Sequence, residues 1–341
     1  MTWHNAAQAP IEGRAWNDTP TPFNRLPARA QKTVTKAIWR LSQNSAGLNL
    51  RFRTDAPQIH VRHTVANDLV SANMTPIARS GLDLYARDPA GHWRWAAVAQ
   101  PNIKTNDKHL EKTLLDNPAP GTRDYRLYLP LYNTTTALEI GVPQNSAFTW
   151  LPPPAQKTIL YYGTSIAHGA SASRPGMTIP AILGRRLDTP VINLGLSGNG
   201  KMEPAMARLI AEIDAALYIL DCLPNMSALA PDEISARLEN TLRHLRKTHP
   251  QTPIILLEDR TYAHAWLFPR LQEKHQKARA AQRATYEKLL AEGMTRITYI
   301  EGATLFGDDD EGMIDGSHPN ELGITRQVAA MLPALRRALG Q

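Results

Sequence analysis

Residues 159–177 read ILYYGTSIAHGASASRPGM. An apolar run ends in Tyr161 and Tyr162, and Gly163, Thr164 and Ser165 follow before a stretch with helical spacing beyond Pro180. A small hydroxyl residue between an apolar strand and a Gly-rich loop has two readings. It is an ordinary turn or N-cap serine, or it is a nucleophile held at the end of a sheet. The local sequence alone favours the first, so the rest of the chain has to decide.

Around this stretch, strand and helix patterns alternate. TILYY is followed by a helix over 179–187, PVINLGL by the helix of EPAMARLIAEI, and AALYILDC by the long amphipathic PDEISARLENTLRHLRKTHP. PIILLED precedes a helix over 273–293, ITYIEG is the last strand, and ELGITRQVAAMLPALRRAL closes the chain as a helix. Apolar strands alternating with helices predict an α/β fold, a parallel sheet covered on both faces. Functional groups of such sheets collect where the C-terminal strand ends meet the loops.

Before residue 150 the grammar differs. LNLRFRTDAPQIHVRHTV and GLDLYARDPAGHWRWAAV alternate apolar and polar residues around turns at Asp55–Pro57 and Asp88–Gly91, and RDYRLYLPLY and TALEIGV continue the pattern. Period-two strands with frequent turns predict an all-β sandwich or jelly roll. Three prolines in LPPPAQK suit neither a central strand nor a helix interior. The expected organisation is a β-domain over 1–150, a linker over 151–157 and an α/β domain over 158–341; a chain of 341 residues is long enough for both.

The loops after the strands carry the chemistry. Gly163-Thr164-Ser165 follows the first, NLGLSGNG (193–200) the second and DCLPNM (221–226) the third, and DGSHPNELG (315–323) precedes the last helix. A serine is a weak nucleophile until a base takes its proton. Histidine is the usual base near neutral pH, and a carboxylate can orient it. Gly amides and an Asn side chain are suitable donors to an oxyanion.

On these blocks the chain resembles the SGNH/GDSL-type hydrolases. GTSI stands at their Gly-Asp-Ser-Leu block, GLSGNG at their glycine block, CLPN at their asparagine block and DGSHP at their Asp-x-x-His block, in the same order. Thr164 replaces the usual Asp, at a position that is not the nucleophile. ASRPGM, LEDRTY and the GLDLY of Gly81–Tyr85 resemble a two-domain, carbohydrate-esterase-like subgroup with an N-terminal β-domain.

The resemblance implies a flavodoxin-like three-layer α/β/α catalytic domain. It implies Ser165 as nucleophile, His318 as base, Asp315 as its orienting carboxylate, and an oxyanion hole from the Ser165 and Gly198 amides with the Asn225 side chain. His168 and Arg174, just beyond Ser165, and Trp266, in the long connection YAHAWLFPRLQEKH, are candidate substrate-binding residues. The expected activity is hydrolysis of short-chain esters, acetyl first, on a small-molecule or oligosaccharide substrate. An acyltransferase with the same triad and a glycan-binding protein on a weakly catalytic scaffold are the alternatives.

Composition narrows the rest. A serine nucleophile with amide donors requires no metal and no cofactor. The single cysteine, Cys222, allows no intrachain disulfide and no multi-cysteine metal site. His60 and His63 lie at opposite parity in one strand and cannot share a face. The acidic FGDDDEGM (306–313) reads as a solvated loop, without the spacing of a helix-loop-helix calcium site. A net charge of +7 spread over scattered Lys and Arg points to no nucleic-acid partner. No apolar run approaches the ~20 residues of a membrane span. The opening residues lack the basic patch and apolar core of a secretory signal. Removal of an upstream signal would make the protein secreted or periplasmic, and otherwise it is cytoplasmic. Oligomeric state is left open.

Overall fold

The period-two patterning before residue 150 folds into nine strands in a computed structural model that describes residues 1–303 and 305–341. They are β1 (Thr2–Asn5), β2 (Asn49–Thr54), β3 (Gln58–Val65), β4 (Leu82–Arg87), β5 (Trp93–Ala99), β6 (His109–Asp116), β7 (Arg123–Tyr128), β8 (Thr135–Val142) and β9 (Phe148–Trp150). Two antiparallel sheets result, ordered β1-β8-β3-β6 and β5-β4-β7-β2-β9, a jelly-roll sandwich with β9 added beside β2. Along β3, Ile59, Val61, His63 and Val65 are buried and the residues between them are half-exposed. Ile59 and Val61 pack with Leu50, Phe52, Leu84 and Leu127 of the facing sheet, so this core lies between the sheets.

Two short helices interrupt the β pattern: α1 (Lys36–Ser42) and α2 (Pro76–Ser80). Thr35 and Thr75 cap them, each side-chain hydroxyl accepting from the N–H three residues on, of Ile38 and Ala78.

The second half is a five-stranded parallel sheet of β10 (Ile159–Gly163), β11 (Val191–Gly195), β12 (Leu217–Asp221), β13 (Ile254–Leu257) and β14 (Ile297–Ile300), ordered β11-β10-β12-β13-β14. This is the flavodoxin-like order, whose chain reversal between β10 and its two neighbours opens a crevice at the C-terminal strand ends. The helices are α3 (Ser165–His168), α4 (Ile179–Arg186), α5 (Pro204–Ile210), α6 (Leu223–Met226), α7 (Pro231–Thr248), α8 (Pro269–Ala291) and α9 (Glu321–Leu339).

Strand alternation divides the apolar residues between two cores. Leu160, Tyr162, Tyr218 and Leu220 face Met206 of α5, Leu238 and Leu242 of α7 and Leu289 of α8. Ile159, Tyr161, Leu217 and Ile219 face Leu183 of α4 and Ile324, Val328 and Met331 of α9. The three-layer α/β/α sandwich follows. Helix α8 starts at Pro269, four residues before the predicted Glu273, because proline suits the first helical position, where its missing N–H costs nothing.

The two halves share buried surface. Trp16, Leu26, Ile38 and Leu41 join the core under α5 and α7, while Ala46, Ala78 and Leu131 join the core under α4 and α9. Arg25 is wholly buried. It donates to the carbonyls of Leu41 (2.7 Å), Asn44 (3.0 Å), Asn193 (3.2 Å) and Gly195 (2.8 Å). The last two belong to the edge strand β11, whose carbonyls have no neighbouring strand on that side. Burial without a counter-charge pulls the guanidinium down to about 10, and it serves here as a donor that closes a sheet edge. Among the described residues, no helix is long and apolar enough to cross a membrane.

Candidate active site

Gly163 ends β10, Thr164 is in extended conformation and Ser165 opens α3. Thr164 is the helix cap: its hydroxyl accepts from the N–H of Ile166 at 3.3 Å. The residue standing where the family usually has Asp thus has a local structural task. Helix α3 lies hard against the end of β11. A Cβ on Gly195 would sit 2.1 Å from the His168 nitrogen, so only glycine allows this approach. The Asn193 side chain fastens the contact, donating to the Ala167 carbonyl at 2.8 Å and accepting from the Gly195 N–H at 2.8 Å.

Ser165, His318 and Asp315, far apart in sequence, are brought into one hydrogen-bonded chain. Ser165 Oγ is 2.8 Å from His318 Nε2, and His318 Nδ1 is 2.8 Å from Asp315 Oδ2. An ionised carboxylate only accepts, so Nδ1 carries the proton and Nε2 is the acceptor for the serine O–H. Partial burial disfavours the charge on Asp315, but the N–H groups of His318 and Ser317 and the imidazole itself outweigh it and hold the carboxyl down to about 2. Gly316, at φ +81°, makes the tight turn between carboxylate and imidazole, and its carbonyl accepts from the Ala263 N–H at 3.0 Å.

Two backbone donors of the strand-end loops make no backbone hydrogen bond among the described residues. The Ser165 N–H is at the start of α3, where no intrahelical acceptor exists. The Gly198 N–H makes no backbone hydrogen bond. Gly198 has φ +68°, in the left-handed region that favours glycine. Asn225 of α6 braces this glycine loop. Its amide is best satisfied with Oδ1 toward the N–H groups of Asn199 (3.1 Å), Gly200 (3.2 Å) and Gly198 (3.3 Å), which frees Nδ2 to donate elsewhere.

Two of the three substrate-binding candidates are held in structural contacts. His168 is wholly buried: Nε2 is 2.7 Å from the Leu131 carbonyl and the ring stacks on Tyr132 at 4.0 Å. Burial, then the nearby Arg25, holds it well below the ordinary imidazole value, so it packs as a neutral ring and does not reach a ligand. Arg174 is engaged with Asp83 and Tyr85 of the GLDLY stretch. Trp266 is 67% exposed, next to exposed Leu267 and Phe268. It borders a hollow of about 330 Å³ with Arg260, Tyr262, Arg279, Phe306 and Met313. In the acidic loop, Asp309 forms a two-pronged ion pair with Arg326 (2.6 and 2.7 Å). His60 and His63 lie on opposite faces of β3, His63 buried against Thr135.

Sequence reading missed the polar support beneath the site. Asp221, at the end of β12, accepts from Tyr161 (2.8 Å) and from both Arg260 prongs, one of them at 2.8 Å, and Arg260 Nε donates to Gln327 of α9 at 3.2 Å. All four side chains are buried. The neighbours of Arg260 in LEDRTY are buried too: Glu258 accepts from Tyr299, Arg283 and the Gly302 N–H, and Asp259 pairs with His275. The unbroken Glu-Asp-Arg run after an apolar strand was the available signal. It also missed Asn73, which donates to Asp315 Oδ2 at 3.3 Å.

Residues 156–336 match the model of the GDSL-like Lipase/Acylhydrolase family, and residues 1–148 match that of the N-terminus of SGNH hydrolase-type esterases. A crystal structure of a candidate GDSL-like lipase from Bacteroides ovatus is similar at 36% identity and a TM-score of 0.93, covering 99% of this chain and 98% of that one. A salicylyl-acyltransferase from a tetracycline biosynthetic pathway shares the fold at 19% identity and a TM-score of 0.81, covering 100% and 99%. A family two carbohydrate esterase from Clostridium thermocellum, in complex with cellohexaose, shares it at 12% identity and a TM-score of 0.62, covering 86% and 93%. A comparison with curated proteins finds no match.

Proposed function

Since the chain belongs to the GDSL-like lipase/acylhydrolase family, we propose that it is a serine esterase that removes short acyl groups, acetyl first, from a carbohydrate-like alcohol. The observation that carries this reading is the Ser165–His318–Asp315 hydrogen-bond chain at the C-terminal end of the parallel sheet.

Ser165 Oγ attacks the acyl carbonyl while its proton passes to His318 Nε2. The Asp315 carboxylate holds the imidazole in the accepting tautomer and stabilises the imidazolium that forms. Negative charge on the carbonyl oxygen is met by the Ser165 and Gly198 N–H groups and the Asn225 side chain. His318 then gives its proton to the leaving alcohol. In the second half, water loses a proton to His318 and attacks the acyl-enzyme, releasing the acid and free Ser165. None of these steps calls for a metal.

The carbohydrate part rests on the shared fold with family two carbohydrate esterases and on the exposed Trp266. The transferase alternative rests on the acyltransferase that matches the chain over its full extent. In it, an alcohol acceptor replaces water in the second half. The test is release of p-nitrophenol from p-nitrophenyl acetate by wild type and Ser165→Ala, followed by acetate release from acetylated glycans. Loss of turnover in Ser165→Ala at unchanged thermal stability is expected, and retained turnover would refute the nucleophile. Adding an alcohol acceptor and measuring the new ester against free acid separates transferase from hydrolase.

A further inference from the structure

We propose that Asn73, a residue of the β-rich half, is a positioning residue for the triad, acting through Asp315; the proposal rests on the esterase reading above. An ionised carboxylate offers about four lone-pair sites. Oδ1 of Asp315 accepts from the N–H groups of Ser317 (3.1 Å) and His318 (2.9 Å), and Oδ2 from His318 Nδ1 (2.8 Å) and Asn73 Nδ2 (3.3 Å). Three of these donors belong to the loop that carries Asp315 and move with it. Among the described residues, Asn73 supplies the fourth, and it alone ties the carboxylate to another part of the chain. The Asp315 side chain is 35% exposed, so without that tie water competes for Oδ2 and the carboxylate is free to turn away from the imidazole.

The segment bearing Asn73 is itself fixed to the nucleophile loop. The Asn73 carbonyl accepts from Ser171 Oγ at 3.0 Å, and Ser171 sits at φ +67°, uncommon for a residue with a Cβ. Thr75 Oγ1 donates to the Ser173 carbonyl at 2.5 Å, and the Ser173 N–H donates to Glu321 Oε1 at 2.6 Å. Glu321 opens α9, just after His318. Residues 73–75 therefore close a ring joining the chain after Ser165, the carboxylate that orients the base, and the helix that follows the base. The titratable groups at this corner are His318, Glu321, and His264, which packs against Gly316.

The test compares full-length Asn73→Ala and Asn73→Asp with wild type on p-nitrophenyl acetate across the acid limb of the pH profile. Asn73→Ala should lower kcat roughly 3- to 30-fold, with KM within about twofold. Its acid limb should move to lower pH, because a carboxylate free to turn away from the imidazole stabilises the imidazolium less. Asn73→Asp keeps the side-chain shape and places a second carboxylate beside Asp315, so its limb should move the other way, to higher pH, as the added negative charge favours the imidazolium. If both variants keep the wild-type kcat and limb, whether or not their melting temperature falls, Asn73 is only a structural strap and the proposal fails. If Asn73→Ala does not fold, Asn73→Asp decides by the same two readings. Ser165→Ala is assayed alongside. Turnover retained there overturns the esterase reading and this proposal together. Turnover lost there, with unaffected Asn73 variants, overturns the Asn73 assignment alone.

Discussion

Arg174 and Asp83 pair across the two halves of the molecule: Nη1 lies 2.8 Å from Oδ2 of a wholly buried carboxylate, and the guanidinium side chain is only 22% exposed. The same oxygen accepts from the Gly176 N–H at 2.8 Å, and Arg174 also donates to the Tyr85 hydroxyl at 2.5 Å. The GLDLY stretch of the jelly roll therefore grips the chain just beyond Ser165. Burial pushes the Asp83 carboxyl up, and Arg174 and the Gly176 N–H pull it back only in part.

Arg174→Met should destabilise the protein by about 3–5 kcal/mol, since it leaves a buried carboxylate without its counter-charge. The loss should depend on pH in a definite direction. A carboxyl raised above its ordinary 3.8 binds protons more readily folded than unfolded, so its contribution to stability falls as pH rises through the folded value. Urea midpoints should therefore separate from wild type more at pH 8 than at pH 5. A gap independent of pH would contradict this account.

Asp315→Asn should keep the fold and lower kcat by about 10⁴-fold, by favouring the wrong imidazole tautomer. With its carboxyl held at about 2 against an ordinary 3.8, the stability Asp315 contributes is complete above 3.8 and is lost as pH falls through about 2. The carboxylate thus stays charged through the working range. The acid side of the wild-type rate profile should follow a single ionisation; a two-proton slope there would count against it.

Asn225→Ala removes the side-chain donor proposed for the oxyanion hole. Turnover should drop by about 10²–10³-fold while the melting temperature stays close to wild type, because Asn225 is only half-buried. Steady-state kinetics with a thermal melt checks both halves; unchanged kcat would remove Asn225 from the oxyanion hole.

Arg260→Met should be costly without touching a reacting group. It strands Asp221 between β10, β12 and α9, and breaking such a buried pair typically loses about 3–5 kcal/mol. The double variant Arg260→Met with Asp221→Leu should recover part of that loss, since a well-packed apolar pair can replace a buried ion pair. Chemical denaturation of the single and double variants measures it, and no recovery would mean that the hub does more than balance its own charges.

Much of the architecture is legible in the chain. Apolar strands such as ILYYG and LYILD, alternating with helical spacing, specify a parallel sheet with two covered faces, and β3 spells out its buried face residue by residue. Ser165, Asp315 and His318 stand out because they sit in short blocks after the first strand of the α/β half or before the last helix, and the structure brings them within hydrogen-bond distance. Local patterning is less informative where the decisive contact is distant. His168 looks available beside Ser165, yet α3 turns it inward beneath Tyr132. Asn73 and Arg25 lie in stretches with no periodic signal, because what they serve is a carboxylate and a strand edge contributed by other parts of the chain.

The sequence by itself determined the two kinds of sheet, their order along the chain and the residue types able to perform acyl transfer, because strand periodicity, glycine turns and side-chain chemistry are local properties. Only the tertiary structure decided that the jelly roll is part of the site's construction. Asp83 grips the loop that follows Ser165, Asn73 reaches Asp315, and Arg25 closes the edge of β11. Each of these contacts joins a charged or strongly polar group to a partner far away in sequence, and which distant groups meet is set by how the two halves pack.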